Sequence, residues 1–399
     1  MLEFFSASTR MANPQRAIVE CLEVALGEAH HDCDLVIINA SIGHQLGDLI
    51  GQARAQCPHA RIVAGSCAGV IGREGVSESM KDVALMAIRG RDFAVAHVDG
   101  LNGHNSREKA VALATALKRA APAINMVYLI VTGIDVAADQ IIAGFDAIFG
   151  AEVSLFGATS GDNNRGLVTF QAVDERVFER AAIAVGFCDA TLEVDTHATH
   201  GFVATGEPLI VTRSDGHLIH ELNGRPAAAE YLDRLKLPMT ASLADSGPIG
   251  ALAERLTAVQ AQAYGNEHVL RAVFRWDAAG TLYYPVTCPE GTALWLTLRD
   301  EERIFSDLDR MLAVMSRHAR GRKPVAMFQA DCGARGRLLF NRVLKEELIQ
   351  RLQHPFSTDF QPPPWLGMYG FGEFARLDGI NHFHNYTSAL AAIYRREAT

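Results

Sequence analysis

The chain has 399 residues, 49% of them hydrophobic and 21% charged, which is enough to bury two ordinary cores and too apolar for wholesale disorder. Its net charge of −9, with both signs interleaved and no basic stripe carrying aromatics, argues against nucleic acid as a partner. Apolar runs such as "INMVYLIVTG" are too short to enter and cross a bilayer as helices, so no membrane insertion is expected.

The opening "MLEFFSASTRMANPQ" has no charged leader followed by an apolar block and a small-residue cleavage site, so no export signal is predicted. Asn13 and Pro14 then suit the start of a helix, with Ala17, Ile18, Cys21, Leu22, Val24 and Ala25 on its apolar stripe. "CDLVIINAS" reads as a buried strand, "HQLGDLIGQARAQC" as a helix, and "ARIVAGSCAGVI" as a second buried strand entering a glycine-rich turn that contains Ser66. "DVALMAIR", "INMVYLIVTG" and "VSLFGATSGD" are further strands, while "SREKAVALATALKRAA" and "AADQIIAGFDAIFG" carry helical periodicity. The glycines of "GSCAGVIGREG" match neither GxGxxG nor a phosphate loop followed by lysine. Antiparallel runs follow between residues 167 and 222.

Asn223-Gly224 marks a turn and Pro226 the start of a helix, which places a boundary there. "HVLRAVFRWDAAGTLYYPVTCPEGTALWLTLRD" alternates as strands. "DEERIFSDLDRMLAVMSRHARG" is a helix with acids at its start and bases at its end, as the helix dipole prefers. "FQADCGARGRLLF" is a strand that stops on a cysteine, two glycines and an arginine, and "NRVLKEELIQRLQ" is the next helix. The reading is an α/β protein with mixed parallel and antiparallel sheets in two closely packed halves, residues 1–220 and 221–399. Without obvious internal repeats, the ligand site falls where strand ends and glycine turns meet. Seven scattered cysteines (Cys21, Cys33, Cys57, Cys67, Cys188, Cys288 and Cys332) and the absence of a CxxC pair argue for reduced thiols in the cytoplasm.

Several stretches, in order, resemble the FIST family of bacterial ligand-sensing modules: "VAGSCAGVI", "DVALMAI", "LFGATSGDN", "AAIAVGF", "THGFVATGEPLIVTRSDGHLIHELNGRPAAAEYL", "FQADCGARGRLLF" and "YGFGEFARLDGINHFHNYT". The resemblance spans roughly residues 35 to 390 and implies a FIST N half, a FIST C half and no catalytic role. It leaves no segment for an output domain, which implies signalling to a separate protein such as a sensor histidine kinase. The "S-x-ST…NP" opening is similar to free-standing members that bind b-type haem and sense nitric oxide. On that reading haem b is the cofactor; the alternative within the family is a sensor for an amino acid or similar metabolite. Self-association into a homo-oligomer is left open.

The residues carry these possibilities unequally. Haem iron takes an imidazole in an apolar pocket; the histidines singled out are His197 and His200 in "DTHATHGF" and His382 and His384 in "NHFHNY", with His384, His382 and His200 as the axial candidates. His382 and His384 alternate, so on a strand they face one side. Neither a CxxCH sequence nor HExxH is present, which argues against covalent haem and against a zincin site. For a small organic ligand, Arg335 suits a carboxylate, with a salt bridge to Asp331 or Glu373 as its structural alternative. Glu373, flanked by apolar residues and glycines, suits an amine; "GDNNRG" reads most simply as a turn, though the amides of Asn163 and Asn164 could reach a ligand at the strand end, as could Ser66. Cys332 is a further pocket residue. A thiol hydrolase built on it needs a cation or histidine beside the sulfur, and Arg335 or a following helix is the available source.

Overall fold

The computed structural model describes residues 1–29, 31–336 and 342–397. Three of its sheets have six strands each and share one plan: a single parallel pair, with every other neighbour antiparallel. The parallel pairs are Leu35–Ser41 with Arg61–Cys67, Met126–Val131 with Ser154–Thr159, and Ala326–Cys332 with Trp365–Gly370. A helix connects the members of each pair: Leu46–Gln56, Ala138–Phe149 and Arg342–Gln353. A second helix precedes each pair, namely Pro14–Leu26, Ser106–Ala120 and Glu301–Ala319.

The sheets also exchange hairpins. After Arg61–Cys67 the chain forms the hairpin Val70–Gly72/Gly75–Ser77, which pairs with Trp365–Gly370. After Trp365–Gly370 the hairpin Gly372–Leu377/Ile380–His384 pairs with Ser154–Thr159. After Ser154–Thr159 the hairpin Gln171–Val173/Arg176–Phe178 pairs with Arg61–Cys67, closing the cycle. The amino-terminal and carboxy-terminal parts therefore complete each other's sheets, a closer association than two packed halves, and the plan is repeated although the sequence shows no obvious repeat.

The register explains why these strands read as continuous apolar runs. In Leu35–Ser41, Leu35 and Ile37 enter a central core shared by all three sheets, while Val36 and Ile38 pack under the helices outside. Both faces are buried, so period-two alternation is hidden in the sequence. At the centre Tyr128, Phe156 and Phe328 pack with ring centroids 5.0–5.7 Å apart. The residual cavity around them is about 10 Å³, roughly room for one water.

Capping follows the sequence signals. Asn13 Oδ1 accepts from Arg16 N at 2.9 Å with Pro14 in the first turn, and Asp300 Oδ1 accepts from Arg303 N at 3.0 Å at the start of Glu301–Ala319. Val24, expected on the buried stripe, is instead 65% exposed, because that helix covers the sheet through Ala17, Ile18, Cys21, Leu22 and Leu26. A fourth, eight-stranded sheet lies between residues 202 and 299, and its Leu209, Val211, Leu252 and Leu294 share a core with Leu113 and Phe145 of the middle unit's helices. Among the described residues no helix is long and apolar enough to cross a membrane, and all seven cysteines are free thiols.

Candidate functional site

The strand ends of the three parallel pairs meet, as expected, but the junction is closed by backbone. Gly161 N donates to Ser66 O at 2.9 Å, Ala68 N to Tyr369 O and Tyr369 N to Gly69 O at 2.9 Å each, and Phe371 N to Thr159 O at 3.2 Å. Glycine is needed for this approach: a Cβ on Gly370 would lie 2.4 Å from Thr159 O. Ser66 belongs to the stitching, since its hydroxyl donates to Gly161 O at 2.8 Å and accepts from Phe170 N at 2.9 Å.

Against this junction lies a buried charged cluster. Arg335, at the end of the short 3-10 turn Gly333–Arg335, is 0% exposed, as are Asp331 and Glu373. Arg335 Nε donates to Asp331 Oδ1 at 3.1 Å, and its Nη1 donates to His200 O at 2.9 Å. Asp331 Oδ2 accepts from Ser388 Oγ at 2.6 Å and Gln329 Nε2 at 3.3 Å. Glu373 Oε2 accepts from Thr387 Oγ1 at 2.7 Å and Thr387 N at 3.3 Å. Two atoms are left over: Arg335 Nη2 and Glu373 Oε1 are buried with no hydrogen-bond partner. Leaving such atoms unpaired costs about 1–3 kcal/mol each or more.

Electrostatics follow from the burial. Desolvation pushes the Asp331 carboxyl up to about 6, against the pull of Arg335 and its hydrogen bonds. Desolvation also drives Glu373 well above the ordinary range, with only the Thr387 bonds and the more distant Arg335 opposing it. The cluster thus holds one bonded ion pair, Arg335 with Asp331, beside a Glu373 carboxyl that burial pushes toward its protonated form.

Cys332 is 3% exposed, and burial with Glu373 and Asp331 nearby drives its thiol well above the usual value. That is the opposite of what a nucleophile needs. Asn163 is half-buried in the loop that Asp162 organises by accepting from the backbone N–H groups of residues 165–168. Its neighbour Asn164 is the one that reaches the site: Asn164 is buried at φ 58°, its Nδ2 has no partner, and its Oδ1 is 2.4 Å from where a Cβ on Gly333 would stand.

The three histidines are placed differently from one another. His200 Nδ1 accepts from Phe202 N at 2.9 Å and Nε2 bonds His268 O at 3.0 Å, leaving no lone pair for a metal. Burial lowers it to about 3, which fixes it neutral. His384 Nδ1 meets the Tyr264 hydroxyl and Nε2 meets Ala375 O, both at 3.3 Å, so it too is committed. His382 faces the same side, with ring centroids 5.0 Å apart, and bonds Phe383 O through Nδ1 at 2.8 Å, so only its Nε2 is uncommitted. These surroundings do not fit a haem: two of the three imidazoles have no free donor, and Tyr264 packs between His200 and His384 at 5.5 Å from each.

A groove of about 830 Å³ runs along the hairpin at 70–77 and the helices Glu301–Ala319 and Arg342–Gln353. It is open to solvent, and its Arg351 and Asp309 already pair with each other, so it offers fewer unsatisfied groups than the buried cluster. Sequence reasoning named Arg335, Glu373 and Cys332, gave Asp331 only as a structural partner, named Asn164 only beside Asn163 as a turn amide able to reach a ligand, and missed Thr387 and Ser388. The acid inside the apolar run "MFQADC" was the available signal. Thr387 and Ser388 gave none.

Comparison with known proteins agrees with the motifs. Residues 34–225 match the FIST N domain and residues 227–376 the FIST C domain. An uncharacterized protein of Mycobacterium tuberculosis is 24% identical over 375 residues, covering 90% of both chains. An uncharacterized protein of Mycobacterium bovis is 26% identical over 195 residues, 47% of each chain. Among solved structures, cyanuric acid hydrolase from A. caulinodans aligns over 100% of both chains with a TM-score of 0.38 and 8% identity. The chain belongs to the FIST family, whose domains are sensory, and carries its N and C domains in tandem.

Proposed function

We propose that this protein senses a small zwitterionic metabolite of the amino-acid class and reports it to a separate signalling protein of the histidine-kinase type. The observation that carries the reading is the unpartnered pair in the sealed cluster, Arg335 Nη2 and Glu373 Oε1. Arg335 offers a fixed N–H to a carboxylate, and Glu373 offers a carboxyl oxygen to an ammonium. Because the cluster is closed to solvent, a ligand enters only through a rearranged state. Binding is thereby coupled to a change of shape, the minimum a sensor requires. The hairpin exchange supports transmission, since Glu373 sits on a carboxy-terminal hairpin built into an amino-terminal sheet.

No chemistry follows binding in this reading, because the Cys332 thiol is disfavoured as thiolate and no cation or imidazole is bonded to its sulfur among the described contacts. Haem is left out because His200 and His384 are committed. A Soret band in protein from haem-supplied cells, lost in His382→Ala, is the result that would restore it.

Calorimetric titration with free amino acids, their amides and their decarboxylated amines tests the proposal. A zwitterion is expected to bind 1:1, with removal of either charge weakening it about 10- to 100-fold. Equal binding of amides and amines, or no binding across the series, overturns it.

A further inference from the structure

Away from that cluster, Asp195 and His197 project from one face of the edge strand Leu192–Thr199 toward the end of the helix Glu301–Ala319, where His318 meets them. His197 Nε2 lies 3.0 Å and His318 Nδ1 3.2 Å from the same oxygen, Asp195 Oδ1, and all three donor atoms fall within 4.8 Å of one another. Donors bound at 2.0–2.1 Å around a tetrahedral ion stand about 3.3 Å apart, so two of the three separations already suit a shared ion. The remaining one is within 4.8 Å, and the His318 ring that would turn to shorten it is exposed.

We propose that Asp195, His197 and His318 form a binding site for a borderline transition-metal dication of the zinc class.

Two independent features point the same way. Asp195 Oδ2 is buried with no partner, although its sister oxygen carries both imidazole contacts. The Tyr394 hydroxyl is also buried and unpartnered, and Tyr394 shares this face of the sheet because it pairs with Glu193 in register. An ion at the shared point gives the carboxylate a second interaction. The other charges are balanced: Arg322 bonds Glu193 at 2.6 Å and stacks over Tyr394 at 5.0 Å.

The donor set chooses the ion. Two imidazoles and one carboxylate suit zinc, cobalt, nickel or copper and disfavour magnesium and calcium, which prefer all-oxygen shells. Three protein donors leave a position open, and His318, 54% exposed in its side chain, places that position toward solvent. Asp195 and His197 belong to the FIST N match and His318 to the FIST C match, so the ion clamps the two domains.

Chelator-stripped full-length protein titrated with zinc, and separately with cobalt followed by visible absorption, tests the site. One equivalent per chain is expected, with a cobalt ligand-field band and a zinc-dependent rise in melting temperature. Asp195→Asn and His318→Gln are expected to weaken zinc by at least about 100-fold, more than loss of a supporting residue around a metal costs, while His59→Gln leaves it unchanged. His318 is exposed, so H318Q tests the site without threatening the fold; matching circular dichroism of the metal-free proteins verifies this. No stoichiometric uptake by the wild type, or wild-type affinity in both variants, overturns the proposal.

Discussion

Asp331 and Glu373 are both buried carboxyls held up by desolvation, but only Asp331 has a guanidinium bonded to it. Since the folded value of Asp331, about 6, exceeds the unfolded value of about 3.9, the folded state binds its proton more tightly. Its stabilising contribution is complete below the unfolded value and is lost as pH rises to about 6, a change of about 3 kcal/mol. Asp331→Asn should therefore flatten the dependence of the urea midpoint on pH between about 4 and 6; curves parallel to wild type contradict this. Removing the cation is harsher. Arg335→Met leaves Asp331 without its counter-charge and should cost about 3–5 kcal/mol at pH 7, part of which returns in the double variant with Asp331→Asn. Glu373→Gln keeps an oxygen for Thr387 and replaces a carboxyl that burial pushes toward its neutral form, so stability should change by less than about 1 kcal/mol.

At the scale of elements, the strand ends depend on glycine for a reason a substitution can expose. Gly370→Ala drives a methyl group against Thr159 O and should destabilise the fold by about 1–3 kcal/mol. Gly51→Ala, on an exposed face of the helix Leu46–Gln56 where a Cβ meets nothing within 4 Å, should stabilise it by about 0.5–1 kcal/mol. Thermal melts of the two variants should move in opposite directions. Most elements are legible in the sequence because their signals are local: Asn13-Pro14 and the acids at 300–302 open helices, and Asn223-Gly224 turns at φ 51° and 74°. Arg335 and Glu373 are legible as site residues for a similar reason, being charges in otherwise apolar or glycine-rich stretches. Thr387 and Ser388 are not, because hydroxyls are common and only the fold brings these to the cluster; Asn164 is legible only as one of two turn amides, with nothing local to choose it over Asn163.

For the whole molecule, the exchanged hairpins are the feature least visible beforehand, since partner choice between sheets leaves no mark in local periodicity. They also govern how the chain can be divided. The fragment 1–225 lacks Gly372–Leu377, Trp365–Gly370, Ser388–Arg395 and Ala293–Arg299, so the strands they pair with are left with open edges; alone it should show broad, non-cooperative melting, and co-expression with 226–399 should restore a cooperative transition. A sharp melt of 1–225 alone would show that the exchange is dispensable. The central claim concerns the sealed cluster and the proton on Glu373. Burial pushes that carboxyl toward its protonated form and a ligand ammonium favours its ionised form, so binding is expected to release protons. Calorimetry of the tightest-binding amino acid in two pH 7 buffers of different ionisation enthalpy measures this directly. The account predicts proton release in the wild type that is lost in Glu373→Gln; equal release from both proteins, or no release from either, contradicts it.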